Sequence, residues 1–304
     1  MSRGCHSAMT RPQQICLWLT FLMTEQVFCL RVQLEMYKDS LDDQYIGCLD
    51  RMESVAPELL KKEREQRPEL DTAWNISSAT WEQRKFSIGD LPDGFRDEYG
   101  IALLIYTYMD LPLYKDLNWA VREYGQHPES FPFHSWHFYL TRALSLLRTS
   151  CDGKPWWTYR GTSKVQFEPP SDPRETIRLS QFSSSSADIK QAQQFGNASF
   201  FNITTCFGAD LEKFSYYPSQ KEVLIPVDEV FHVTKYIKEG NQLVLQTTNK
   251  RCSYYNCAYL GGIKRENCVY SSAPTVAKFS EAVSAPLLVA INIAMVSATK
   301  FLMR

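Results

Sequence analysis

Residues 220–226 read Gln220-Lys221-Glu222-Val223-Leu224-Ile225-Pro226: a turn enters a strongly apolar strand and sets a carboxylate at its start. Strand side chains alternate, so Gln220 and Glu222 are expected on one face and Lys221 on the other. Working outward, further short β-branched and aromatic runs punctuated by turns appear at Thr176-Ile177-Arg178-Leu179 and at 200–206, 230–236 and 242–247. One helical stretch, about 187–195, interrupts them, so the chain beyond Cys151 is strand-rich. Upstream, from about Asp39 to Leu147, the pattern is helical, with connections expected at Pro57, Pro92-Asp93-Gly94, Pro112 and Pro128. Its clearest helix runs over 134–147, where Trp136, Tyr139, Leu140, Ala143, Leu144 and Leu147 recur at three- and four-residue spacing and form an apolar face. Helices followed by strands, without βαβ alternation, predict an α+β fold and exclude a doubly wound nucleotide-binding sheet. The sequence has no Gly-x-Gly-x-x-Gly and no Walker loop.

The 304 residues are 44% hydrophobic and 22% charged, an ordinary globular composition. Lys+Arg 33 against Asp+Glu 34 leaves no basic field for nucleic acid. At the N-terminus Arg3 and Arg11 precede the apolar run 15–23, the layout of a secretory signal, expected over residues 1–30. At the C-terminus Ser271-Ser272-Ala273 lead through a spacer into the apolar run 285–296. That run is shorter than the ~20 residues of a membrane span, is broken by Asn292 and lacks a basic cluster beyond it. It fits a glycolipid (GPI) attachment signal, with attachment expected at Ser271 and a propeptide over 272–304. One domain, residues 31–271, is then extracellular on the plasma membrane, helical over 31–150 and strand-rich over 151–271.

Nine cysteines become six once Cys5, Cys16 and Cys29 leave with the signal. An even number in an oxidising compartment suggests up to three disulfides among Cys48, Cys151, Cys206, Cys252, Cys257 and Cys268, with connectivity left open. The spacing of Cys252, Cys257 and Cys268 lacks zinc knuckles, and His134 and His137, three apart, have no nearby acidic partner, so no metal is expected. Sequons at Asn75 and Asn197 are expected to carry glycans; a third, Asn202, lies inside a strand-like run.

Three stretches could build a site. In Tyr159-Arg160-Gly161 an arginine on a strand could hold a phosphate or ribose, and the glycine lets a ligand approach the backbone. In Gln181-Phe182-Ser183-Ser184-Ser185-Ser186, ahead of a helix, serines can cap that helix and bond a carboxylate. Glu222 could stabilise a sugar cation, as in glycoside chemistry. Taken in order, these stretches resemble the Arg-Ser-Glu constellation of the vertebrate GPI-anchored ecto-mono-ADP-ribosyltransferases. Asp42-Asp43-Gln44-Tyr45-x-Gly47-Cys48, Gly94-Phe95-Arg96-Asp97-Glu98-Tyr99-Gly100, Ala120-Val121-Arg122-Glu123, Thr205-Cys206-Phe207-Gly208 and Tyr255-Asn256-Cys257 resemble the same family. The T-cell surface branch looks nearest, on the serine run, the Arg-Ala-Leu helix and the Cys-x-Tyr end.

The resemblance implies the ADP-ribosyltransferase fold, a helical part followed by a core of two packed sheets. It implies NAD as substrate, no metal, and cell-surface protein arginines as possible acceptors. It makes Arg160 the anchor of the NAD phosphate or nicotinamide ribose, Gly161 the backbone partner of the nicotinamide amide, and Phe195 the aromatic on the nicotinamide ring. Ser184 orients Glu222, and Glu222 stabilises the oxocarbenium-like ribose. It pairs Cys48 with Cys257 and Cys151 with Cys206; Cys252 and Cys268 then remain, with their pairing to each other left open. The departure is Gln220: arginine-modifying members resemble Glu-x-Glu here, the first carboxylate helping to deprotonate a guanidinium of pKa about 12.5–13.8. Glutamine keeps hydrogen bonding and loses the base, so NAD glycohydrolysis is expected to dominate over arginine transfer. The alternative is a catalytically silent surface antigen or binding protein that keeps only the fold.

Overall fold

A computed structural model describes residues 30–148, 151 and 154–272. Apart from Leu30 and Ser272, the expected signal (1–30) and propeptide (272–304) lie outside the described residues. No helix among the described residues is long and apolar enough to cross a membrane.

Among the described residues the first half holds five α-helices: α1 (Leu49–Gln66), α2 (Pro68–Arg84), α3 (Asp97–Thr107), α4 (Tyr114–Glu123) and α5 (His134–Leu147). Pro68 separates the first two, because it holds Arg67 in extended backbone and itself starts α2. Pro57 does not mark the connection expected there. It lies inside α1, where Met52, Ala56, Leu59 and Leu60 pack into the core on both sides of it and keep the helix continuous at the cost of one backbone bond. Helix α5 is central: every residue from His134 to Thr141 is buried, more than the single apolar face its periodicity requires. Its histidines stay neutral inside. Burial lowers His134 to about 4 and His137 to about 3, and His137 is satisfied by the Tyr45 hydroxyl at 2.8 Å and the Leu41 carbonyl at 3.2 Å. Gly100 of α3 lies flat on the Trp81 indole, where a Cβ would come within 2.3 Å of the ring.

The second half builds strands β2 (Trp156–Thr162), β4 (Thr176–Ile177), β5 (Ser183–Ser186), β6 (Ser199–Thr205), β7 (Ala209–Asp210), β8 (Glu222–Ile225), β9 (Glu229–Ile237), β10 (Gln242–Ser253) and β11 (Val269–Ser272). They hydrogen-bond in the order β4-β9-β10-β6-β2-β5-β8-β7, with β11 on β10. A second, two-stranded sheet joins β1 (Leu30–Gln33) to β3 (Val165–Glu168) in parallel. Phe167 of the small sheet meets Phe201 of the large one at 5.4 Å, in a core shared with Leu34, Ile203, Leu243 and Leu245. The fold is thus α+β, a helical part followed by a core of two packed sheets.

A clasp joins two distant segments, 42–48 and 254–258. Buried Asp42 accepts from the Tyr254 and Tyr255 amides and from Arg178, while Asp43 accepts from the Tyr45, Cys257 and Ala258 amides. Beside them Cys48 is bonded to Cys257 across 209 residues. Cys151 is bonded to Cys206, and Cys252 to Cys268.

Two local expectations are corrected. The serine run does not cap the following helix: residues 183–186 form β5, paired with β8 from Ser183↔Ile225 to Ser186↔Glu222. The short helix α6 (Ile189–Gln194) is capped by Asp188, which accepts from the Lys190 amide at 2.9 Å. Serine has weak strand propensity, but here Ser185 and Ser186 close their hydroxyls on the Val223 and Gln220 carbonyls at 2.6 Å, and pairing decides. Gln220, in turn, is not on the strand. It ends a 3₁₀ turn (Pro218–Gln220), and Lys221 follows in left-handed backbone at φ 45°. The alternation that would align Gln220 with Glu222 therefore starts only at Glu222.

Candidate active site

Strand β2 is paired with β6 along its whole length, from Trp156↔Thr205 to Thr162↔Ser199. It meets β5 at a single pair, Tyr159↔Ser186. Past that pair, among the described residues, the main chain of Arg160 and Gly161 has no strand partner on the β5 side. The Arg160 guanidinium reaches across and donates to the Ser184 carbonyl. Burial works against its charge, and Tyr106 and Glu222 favour it.

Glu222 opens β8 opposite Ser186 and is 7% exposed. Burial raises its carboxyl to about 7; a hydrogen bond from Ser184 and the charge of Arg160 oppose the rise. Arg160, Ser184 and Glu222, 62 residues apart from first to last in the sequence, are thus one electrostatic unit.

Gly161 is required by packing. A Cβ there would come within 2.4 Å of the Ala192 carbonyl oxygen and 2.5 Å of that of Gly196, so the C-terminal turn of α6 lies directly on β2. That turn carries Phe195, a residue 47% exposed. Gln220 is half-buried, and its amide lies 3.7 Å from the Met109 sulfur. Asn75 and Asn197 are exposed, whereas Asn202 is half-buried within β6. Ser271 lies on the edge strand β11, opposite Arg251, and its hydroxyl donates to the Gln44 Oε1 at 3.0 Å.

The helical half supplies residues that the sequence reading did not single out. Tyr106, at the end of α3, faces the Ser184 hydroxyl, and Asn118 of α4 donates to its phenol oxygen at 3.0 Å. Arg122, in the Ala-Val-Arg-Glu segment, holds Gln181 at the entry to β5. Nothing in local pattern marks Tyr106 or Asn118, which sit at ordinary helical positions. Among the described residues no cluster of three or more His, Cys, Asp or Glu could hold a metal.

The sequence model of the NAD:arginine ADP-ribosyltransferases matches residues 34–253. The chain belongs to this family. Human ecto-ADP-ribosyltransferase 5 is 44% identical over 250 residues, covering 79% of this chain and 84% of its own. Rat T-cell ecto-ADP-ribosyltransferase 1 is 37% identical over 265 residues, covering 85% and 92%. On overall identity, then, the T-cell form is not set apart from the other branches. The crystal structure of the eukaryotic mono-ADP-ribosyltransferase ART2.2 superposes with a TM-score of 0.67 at 36% identity, covering 75% of this chain and 99% of that one. A mutant of that protein was solved in complex with NAD. This ADP-ribosyltransferase family member therefore has the family fold, and the family acts on NAD.

Proposed function

We propose that this ADP-ribosyltransferase cleaves the nicotinamide–ribose bond of NAD and passes ADP-ribose mainly to water, and more weakly to protein arginine. The observation that carries the reading is the unit of Arg160, Ser184 and buried Glu222 at the point where β2 parts from β5. Breaking the bond between a pyridinium nitrogen and the anomeric carbon leaves positive charge on the ribose, and nicotinamide departs neutral. A carboxylate in a poorly hydrated site stabilises that charge far more than it would in water. Glu222 serves in its ionised form, with Ser184 holding it by a hydrogen bond and Arg160 favouring its charge. Arg160 anchors the dinucleotide through a phosphate or the nicotinamide ribose, the Gly161 backbone takes the carboxamide, and Phe195 covers the ring.

Acceptor choice falls to Gln220. An amide cannot take a proton from a guanidinium, so an arginine acceptor stays cationic and poorly nucleophilic, while water needs less help. The C-terminal run and the secretory-type N-terminus support a GPI-anchored enzyme on the extracellular face, with attachment at Ser271 and glycans on Asn75 and Asn197. Incubating the purified protein with labelled NAD, and separating free ADP-ribose from label on protein or on a small arginine analogue, tests this directly. Free ADP-ribose in excess supports it. Label chiefly on arginine overturns the acceptor assignment, and intact NAD leaves a silent surface protein.

A further inference from the structure

Between β7 and β8 the chain leaves the sheet and crosses to the helical half, where successive residues are tied down. Lys213 donates to the Ile88 carbonyl at 2.9 Å, the Phe214 ring stacks on Trp81 at 6.2 Å, and the Ser215 carbonyl accepts from Arg84 at 2.9 Å. Tyr216 is the centre of this attachment. Its amide donates to the Thr107 hydroxyl at the end of α3 at 3.2 Å. Its ring lies 4.7 Å from that of Tyr108, with the Arg84 guanidinium 5.4 Å from its centroid. Its phenol reaches α2, donating to the Thr80 hydroxyl at 3.1 Å and accepting from the fully buried Ser77 at 3.2 Å. The protons balance: Thr80 gives its own to the Ile76 carbonyl and Thr107 gives its own to Leu104, so each keeps a lone pair for Tyr216.

Glu222 is held differently, by the sheet. It pairs with Ser186 and its carbonyl accepts from the Leu211 amide at 2.8 Å, while the Lys221 carbonyl accepts from the Ala187 amide at 3.0 Å. Gln220 precedes that ladder. Its one tie to the sheet is its carbonyl, which takes the Ser186 hydroxyl; its amide closes the turn on the Tyr217 carbonyl at 3.0 Å, and its side chain rests on Met109, just past α3. The catalytic carboxylate is therefore carried by β5 and β8, and the turn on the acceptor side is carried largely by α2 and α3.

We propose that Tyr216 is a positioning residue for the acceptor step: it locks the turn that ends in Gln220 to α2 and α3, and so sets acceptor choice without acting on the cleavage of NAD. The inference rests on the reading of Gln220 as the residue that selects the acceptor. A turn cut loose from α2 lets the side chain at position 220 wander by a fraction of an ångström or more, and an oriented nucleophile is sensitive to such displacements. Glu222 keeps its place because its main-chain ladder does not pass through Tyr216.

Four proteins test this: wild type, Tyr216→Phe, Gln220→Glu and the double variant, each given labelled NAD and a small arginine analogue. Free ADP-ribose, labelled analogue and nicotinamide are measured separately. Tyr216→Phe removes only the bonds of the phenol and should leave total nicotinamide release within about twofold in both backgrounds. In the Gln220→Glu background, expected to raise transfer, it should lower the ratio of transfer to hydrolysis about fivefold and raise KM for the arginine analogue by a similar factor. Thr80→Val should reproduce the effect from α2, and Thr80→Ser, which keeps the hydroxyl, should not. A tyrosine that only stabilises the fold would lower the melting temperature and reduce both products together, so an unchanged ratio overturns the inference. So does a loss of nicotinamide release that matches the loss of transfer. Should Tyr216→Phe not fold, the Thr80→Val and Thr80→Ser pair makes the same comparison. A wild-type protein that releases no nicotinamide, or a Gln220→Glu protein that labels no analogue, overturns the reading of the site and the inference with it. An active Gln220→Glu enzyme whose ratio ignores Tyr216 overturns the inference alone.

Discussion

Replacing Glu222 with glutamine should abolish NAD cleavage and at the same time make the protein more stable at alkaline pH. Burial raises this carboxyl from 4.5 to about 7 in the fold. Between those values the folded protein keeps a proton that the unfolded chain has released. Its contribution is therefore fully present below about pH 4.5 and is lost as pH rises through about 7. At 1.36 kcal/mol per pH unit the gap amounts to about 3 kcal/mol as a ceiling at pH 8. Glutamine has the same shape and no charge to bury, so Glu222→Gln should recover most of that. For a domain of this size about 1 kcal/mol moves Tm by roughly 2–4 °C, so a rise of several degrees is expected at pH 8. At pH 4.5, where the native carboxyl is already protonated, the two proteins should melt together. Turnover should fall about 100-fold or more, since the negative charge facing the ribose is gone. Melting curves at both pH values and a nicotinamide-release assay read the two arms. A stabilisation equal at both pH values would refute the burial argument, and near-native activity in a folded variant would refute the catalytic one.

Gln220→Glu should raise arginine transfer relative to hydrolysis while total nicotinamide release stays within about an order of magnitude, because only the acceptor step changes. Since Lys221 is left-handed and exposed, adding Lys221→Glu removes a repelling ammonium, and a double variant that cleaves NAD but labels no arginine analogue would remove position 220 from acceptor choice. Cys48→Ser with Cys257→Ser opens a loop of 209 residues and should cost up to about 5 kcal/mol, read by denaturant unfolding under non-reducing conditions. His137, held neutral down to about 3, contributes stability that is present above its unfolded value of about 6.5 and lost as pH falls below it. His137→Gln should accordingly lose less stability than wild type between pH 6.5 and 4, and parallel curves would show that the ring is not the cause.

Several features were legible in the sequence because they are local. The three- and four-residue spacing over 134–147 gives α5 and its apolar face, though not the full burial of its first two turns, and the apolar run after Lys221 gives β8 to within one residue. Turn signals separate a helical half from a strand-rich half, and the resemblance singles out Arg160, Ser184 and Glu222. The Asp42-Asp43 segment was legible as a motif, but its physical role was not: its carboxylates satisfy amides more than 200 residues away. The serine run misled for the same reason, since residues with hydroxyls suited to a helix cap become a strand only when β8 lies alongside. Gln220 left the strand face through a backbone angle at Lys221 that no side-chain pattern announces. Tyr106 and Asn118 were invisible, being ordinary helix positions that meet the segment entering β5, at the Phe182 carbonyl 76 residues beyond Tyr106, only in the fold. Periodicity and turn chemistry act over a few residues, and so the sequence by itself determined elements and their order. Which side chains meet in the site depends on segments brought together from far apart in the chain, and only the tertiary structure decided that.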